Sequence, residues 1–197
     1  ALDHLARQHP EGERRVLPPG PERGPWKTWT DQGQLDSEST WQLGLAEGTF
    51  TRWFYGDGYP AYDRGPMVHS LAQGLWQAYT ADGAHLLQEV TYQDGLAQGP
   101  AHGAWPSGQK RFDGGYQLGA RCGLWQAWFE NGSPDYQGAY VCNWSTPDEF
   151  VSLPNGLWTS WFASGQKRQE GTYREGLKIG VWTEWDEQGH ATVSRYD

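Results

Sequence analysis

The side chains best suited to metal binding, acid–base work or nucleophilic attack are few in this chain. Six histidines occur, His4, His9, His69, His85, His102 and His190, with two cysteines, Cys122 and Cys142. No pair of histidines has the H-E-x-x-H spacing that puts two ring nitrogens on one helical face, and the cysteines do not form C-x-x-C. No G-x-S-x-G elbow, phosphate-binding Walker loop or dinucleotide fingerprint is present. Asp57, Asp82, Asp94 and Asp113 each precede a glycine. Asp-Gly is turn chemistry, because aspartate bonds its own backbone and glycine accepts positive φ, so all four are read as turn residues. The expectation is a chain with no catalytic residue, no metal and no cofactor.

What must position any site is a repeat. The template G-x-W-x-x-W-x-x-x-G starts at Gly24, Gly123, Gly156 and Gly180 in full. Gly74, Trp76, Tyr79, Gly83 fit with one aromatic exchanged, and Gly48, Phe50, Trp53 fit with the closing glycine displaced to Gly58. Gly99, Ala101, Ala104 and Gly108 keep the glycines and lose both aromatics. The leading glycines of these seven units step by 24, 26, 25, 24, 33 and 24 residues. A half-motif Y-x-x-G lies just upstream, at Tyr92–Gly95, Tyr116–Gly119 and Tyr173–Gly176, with Trp41–Gly44 and Tyr140–Asn143 as variants. Aromatic segments bracketing a glycine-rich apex predict β-hairpins, strung as one antiparallel meander of about 14 short strands. The long step places a loop insertion at residues 143–154, and a smaller one lies near Gly58 to Pro66.

Composition agrees. Glycine (27), tryptophan (13) and tyrosine (10) suit strands and tight turns, and one methionine with few aliphatics excludes a helical bundle. The balance of 24 acidic to 15 basic residues, a net charge of −9, argues against phosphate-backbone binding and so against a nucleic-acid partner. No apolar run is long enough for a transmembrane helix. Residues 1–23 differ from the rest, with Pro10, Pro18, Pro19 and Pro21 and no tryptophan, and are expected to form an extended tail or linker.

From Gly24 to about Tyr196 the unit resembles the MORN repeat, and more closely its bacterial variant, in its recurring glycine, aromatic pair and turn. Bacterial proteins of that kind are often labelled toxin–antitoxin components. The resemblance implies one all-β domain over 24–197, an elongated meander or solenoid of about seven hairpins of about 24 residues, used as a scaffold.

Within each unit the two aromatics lie three residues apart, so they point to opposite faces of a regular strand. One row is Trp26, Phe50, Trp76, Trp125, Trp158 and Trp182; the other is Trp29, Trp53, Tyr79, Trp128, Trp161 and Trp185. At least one row must be core, since each aromatic buries about 150–250 Å². The second row is taken as the candidate partner-binding surface, and the gap at Ala101 and Ala104, beside His102, as a candidate pocket. Cys122 opens the second strand of one hairpin and Cys142 closes the first strand of the next. Adjacent antiparallel strands hold Cα atoms about 4.5–5.5 Å apart, which suits a disulfide and hence an oxidising compartment. The leading reading is a non-catalytic periplasmic, cell-surface or secreted scaffold that recognises a protein partner, including one in a membrane-associated assembly. A cytoplasmic antitoxin-like regulator is the alternative, and a glycan-binding or glycan-acting protein the third class.

Overall fold

The computed structural model describes residues 24–55, 62–146 and 149–197. The tail expected at 1–23 and the turn residue Asp57 lie outside them. Every regular element among the described residues is a β-strand. The chain divides into two compact units, one ending at Ala97 and the other Gln98–Asp197.

The first unit contains β1 (Gly24–Trp29), β2 (Leu35–Gln42), β3 (Leu45–Trp53), β4 (Tyr62–Val68), the two-residue β5 (Leu71–Ala72), β6 (Gly74–Tyr79) and β7 (Leu86–Gln93). Strands pair in chain order, with β5 attached to β4 and β6 continuing beside β4. The second unit holds most of β8 (Leu96–Ala104), then β9 (Lys110–Gln117), β10 (Ala120–Trp128), β11 (Pro134–Thr146), β12 (Glu149–Trp161), β13 (Lys167–Arg174), β14 (Leu177–Trp185) and β15 (Ala191–Tyr196), again in chain order. All pairings are antiparallel. The all-β meander is therefore present in both units.

Among the described residues each Y-x-x-G apex falls at one residue pair. In Y-x-x-G the last two residues form the turn: Leu118 and Gly119 have φ of 48° and 81°, and Glu175 and Gly176 have 49° and 88°. Two successive positive φ values define a type I′ turn, whose twist matches that of the strands. The apex is thus narrower than the glycine-bracketed segment the sequence suggested. The leading glycine of each unit lies inside a strand instead. Gly123 sits in β10 at φ 72°, where the register to β9 slips between Cys122 and Gln126. It is a bulge glycine. At the opposite ends of the strands the chain turns through tighter loops closed by a left-handed glycine, as where Gly132 N–H bonds the Phe129 carbonyl at 2.9 Å.

Of residues 143–154, expected as a loop, the described ones, 143–146 and 149–154, continue strands β11 and β12. The ladder runs on through Cys142↔Ser152, Asn143↔Val151 and Trp144↔Phe150. Aromatic and β-branched residues here favour strand over loop.

Candidate functional site

In the second unit the core centres on one aromatic row, with Trp125, Trp182 and Phe112 buried, and on a second family of glycines absent from the sequence expectation; in the first unit the buried apolar residues are Ala46, Ala78, Leu87, Val90 and Ala97, with Trp26, Phe50 and Trp76 half-buried. Gly65, Gly114, Gly138 and Gly171 each stand on a first strand of a hairpin, and the indole of the next strand lies flat against them. A Cβ at these positions would come within 2.4, 2.2, 2.2 and 2.1 Å of the rings of Trp76, Trp125, Trp158 and Trp182. The indole N–H then donates to the carbonyl of the residue after that glycine, Pro66, Gly115, Ala139 or Thr172, at 3.1 Å in all four cases. A buried indole needs such an acceptor, and glycine lets the ring approach the backbone that supplies it. Trp125 and Trp182 are each 1% exposed. Tyrosines seal the rings edge-on: Tyr116 on Trp125 at 5.1 Å, Tyr140 on Trp158 at 5.1 Å and Tyr173 on Trp182 at 4.7 Å between centroids.

The unit that lost its aromatics contains no open pocket at Ala101, which is 0% exposed. The Phe112 ring fills the vacancy from the next strand, so close to Gly103 that a Cβ there would meet it at 2.1 Å. His102 points to the other face, with Nδ1 2.7 Å from Asp113 Oδ1.

The second row lies on that other face. Trp29 is 60% exposed, whereas Trp53, Tyr79, Trp128, Trp161 and Trp185 are half-buried. The structure interleaves these residues with partners the sequence reading did not single out. In the first unit Tyr62 sits between Trp53 and Tyr79, with centroids 6.5 and 5.3 Å away, and the Arg64 guanidinium lies 5.0 Å over the Tyr79 ring. In the second unit Lys110 Nζ lies 5.0 Å over the Trp128 ring, and Lys167, cross-strand from Trp161, lies 5.9 Å over Trp185. Such cation–ring contacts are worth about 0.5–1 kcal/mol at exposed sites. Both lysines are pinned by a carboxylate three residues on: Lys110 to Asp113, and Lys167 to Glu170 at 2.6 Å. A signal for them was present in the sequence, since Ser107–Arg111 and Ser164–Arg168 both read S-G-Q-K-R.

Of the aspartates read as turn residues, Asp82 and Asp94 lie in turns: Asp82 Oδ1 accepts from Ala84 N–H at 3.0 Å, and Asp94 has φ of 51°. Asp113 is different, standing mid-strand in β9, because its neighbour Gly114 is a ring seat and not a turn glycine. Burial pushes the Asp113 carboxyl up, but hydrogen bonds from Lys110 and His102 outweigh it and hold the group below the ordinary aspartate range. Glu170 is held down in the same sense, first by its hydrogen bond from Lys167. The face therefore carries fixed ion pairs between flat rings, an arrangement suited to docking a partner surface by stacking and charge. Among the described residues no group of three or more histidine, cysteine, aspartate or glutamate side chains could hold a metal ion.

Cys122 and Cys142 form a disulfide across β10 and β11, with Cα atoms 5.5 Å apart. Beside it, Ser152 Oγ donates to the Arg121 carbonyl at 2.7 Å, so the extended β11–β12 hairpin is tied at its base to β10. The hairpin carries Trp144, 58% exposed, packed edge-on against Phe150 with centroids 5.2 Å apart.

The fold and its periodic ring seats define a class, a β-hairpin repeat protein. Comparison with known proteins sharpens this: residues 154–175 match the family model described as the MORN repeat variant. The match spans the second half of β12, the turn and β13, so the likeness read over the whole repeat region is shown for one unit. No curated protein matches the chain. One solved structure with a similar stretch is described as "Crystal structure of GtfA/B complex bound to UDP and GlcNAc". It is 12% identical, with a TM-score of 0.24, over 62% of this chain and 22% of that one.

Proposed function

We propose that this protein is a non-catalytic binding subunit working in an oxidising, extracytoplasmic setting, and that it holds a protein partner on the face carrying the second aromatic row. The observation that carries the reading is the pairing of half-buried rings with anchored cations, Trp128 with Lys110 and Trp185 with Lys167. Rings and charges held in place before binding lose little entropy when a partner docks, and aromatic residues dominate such surfaces. Supporting the compartment is the Cys122–Cys142 disulfide, since such bonds persist chiefly outside the reducing cytosol. Among the described residues no helix is long and apolar enough to cross a membrane. A partner in a membrane-associated assembly would accordingly meet this face and not a spanning helix of the described region. The elongated form and the count of seven repeats belong to this proposal, with small-angle scattering as their measurement.

The test is to capture partners from the native source with the wild-type chain and with the double variant Trp128→Ala/Trp161→Ala, each with its thermal melt. Loss of a specific partner with a melt close to wild type is expected. Loss of folding without separable loss of binding returns the row to the core. Intact mass with and without reduction and alkylation tests the compartment: two free thiols in protein from the native source overturn it in favour of a cytoplasmic antitoxin-like regulator.

A further inference from the structure

Two kinds of side chain cover the first-row tryptophans of the second unit. One stands two residues before the ring-seat glycine. Phe112 stacks on Trp125 and Tyr136 on Trp158, each with centroids 5.8 Å apart and planes tilted by only 17° and 10°. The other stands four residues before the tryptophan on its own strand. The Arg121 guanidinium lies 4.5 Å over Trp125, and Lys178 Nζ lies 4.2 Å over Trp182. Lys178 is also paired with Glu184, at 3.4 Å. An ammonium shared between an indole and a carboxylate is therefore an arrangement this protein already uses.

Trp76, in the first unit, has neither cover. Two residues before its seat, Gly65, stands Asp63, and four residues before Trp76 stands Ala72. The cation–ring contacts of this unit fall elsewhere, Arg52 on Phe54 and Arg64 on Tyr79. Phe50 and Tyr92 meet the Trp76 ring tilted and edge-on, at 6.1 and 6.0 Å between centroids. Trp76 is accordingly half-buried, where Trp125 and Trp182 are 1% exposed. Beside it lies an open cavity of about 240 Å³, lined by Asp63, Trp76, Ala78, Gln88, Val90 and Tyr92 together with Gln77.

Asp63 is only 5% exposed, and its two carboxylate oxygens differ. Oδ2 accepts from Arg52 at 3.0 Å, whereas Oδ1 is buried with no hydrogen-bond partner among the described residues. Buried acceptors are seldom left so, and a carboxylate has an oxygen for each of two donors. Burial pushes the Asp63 carboxyl above the ordinary aspartate range even beside the Arg52 guanidinium.

We infer that this cavity receives a primary ammonium on an alkyl chain, the group that a partner protein presents on a lysine side chain. The ammonium lies over the Trp76 ring and donates to Asp63 Oδ1, as Lys178 lies over Trp182 and pairs with Glu184. A neutral hydroxyl satisfies the oxygen and gains no cation–ring attraction; a quaternary ammonium gains the ring and has no N–H to donate. The cavity is on the face opposite the second aromatic row, and neither reading depends on the other.

The probe is Nα-acetyl-lysine amide, titrated into the full chain while the Trp76 indole N–H is followed by NMR, its resonance assigned with Trp76→Phe. A saturable shift is expected. The Nε-acetyl and Nε-trimethyl forms should each bind about tenfold more weakly or worse, the scale of one hydrogen bond to a charged group. Because Asp63→Asn also disturbs Arg52, the deciding variants are at position 72, each checked by its thermal melt. Ala72→Lys places a cation where Arg121 and Lys178 stand, two residues before a bulge glycine; Gly74, Gly123 and Gly180 have φ of 65°, 72° and 66°. It should fill the site from within and weaken the probe about tenfold or more, while the neutral Ala72→Gln leaves binding near wild type. The inference is overturned if the Trp76 resonance does not shift, if either modified lysine binds as tightly as the primary ammonium, or if the two variants at position 72 affect the probe alike.

Discussion

Trp125, Trp158 and Trp182 share strands with Trp128, Trp161 and Trp185, three residues away, yet the two rows do different work. Each indole of the first row has a glycine seat, a carbonyl for its N–H and a tyrosine at its edge. Two of the three are almost fully buried. The second row has no glycine seats; Trp128 and Trp185 lie beneath lysine ammonium groups, and the whole row keeps part of its surface in solvent. Residue type does not separate a structural tryptophan from a binding one. What lies against its ring does: the first row rests on glycine backbone, even where Arg121 and Lys178 lie 4.5 and 4.2 Å over Trp125 and Trp182, whereas Trp128 and Trp185 have charged side chains and no glycine seat.

The comparison breaks most readily at Trp182. Trp182→Ala should cost about 3–5 kcal/mol, the usual range for emptying a buried aromatic site, read from the midpoint of a urea titration. A loss of less than half that would mean the row is not the core. The seat itself is tested by Gly171→Ala, which forces a methyl into the Trp182 ring. Overpacking of this kind costs about 1–3 kcal/mol, and the adjacent Thr172→Ala, which keeps the accepting carbonyl, serves as control.

On the other face Trp185→Ala should cost only about 1 kcal/mol, the value of an exposed cation–ring contact with some packing. A loss as large as that at Trp182 would erase the distinction between the rows. The smallest effect belongs to Asp113. Its carboxyl is held below the ordinary range by Lys110 and His102, so its charged form is favoured by folding. That contribution is present above the unfolded value of about 3.9 and is lost as pH falls through the lower folded value. Asp113→Asn should therefore be less stable than wild type at pH 7 by about 1 kcal/mol or less, as expected of a partly exposed ion pair. Melts recorded at decreasing pH should converge in strongly acid solution, and a difference that grows instead would assign the wrong sign.

Much of this architecture is local and so was legible in advance. Y-x-x-G identifies its own turn, because two successive left-handed residues at φ near 48° and 81°, as at Leu118-Gly119, are stable in few sequence contexts. The pairing of Cys122 with Cys142 follows from strand order in a meander, where consecutive strands are neighbours, and needs no knowledge of faces. The period of about 24 residues identified the strands that carry both aromatic rows.

Faces were another matter. Asp113 looked like a turn residue because Asp-Gly is turn chemistry, and only the strand pairing shows that Gly114 is occupied by the Trp125 ring. Residues 143–154 look like a loop because they interrupt the period, yet residues 143–146 and 149–154 pair across as strand. Lys110 and Lys167 are ordinary surface lysines until register places them over Trp128 and Trp185. The sequence by itself determined the repeat, the order of its strands, the Y-x-x-G glycines and the disulfide, since each depends on backbone preferences or on neighbours in the chain. Which aromatic row is buried, which glycines are seats and which are bulges, and where charge meets ring were decided only in the tertiary structure. Those outcomes depend on bulges that shift register between strands and on rings supplied by residues more than ten positions away, and no single segment encodes them.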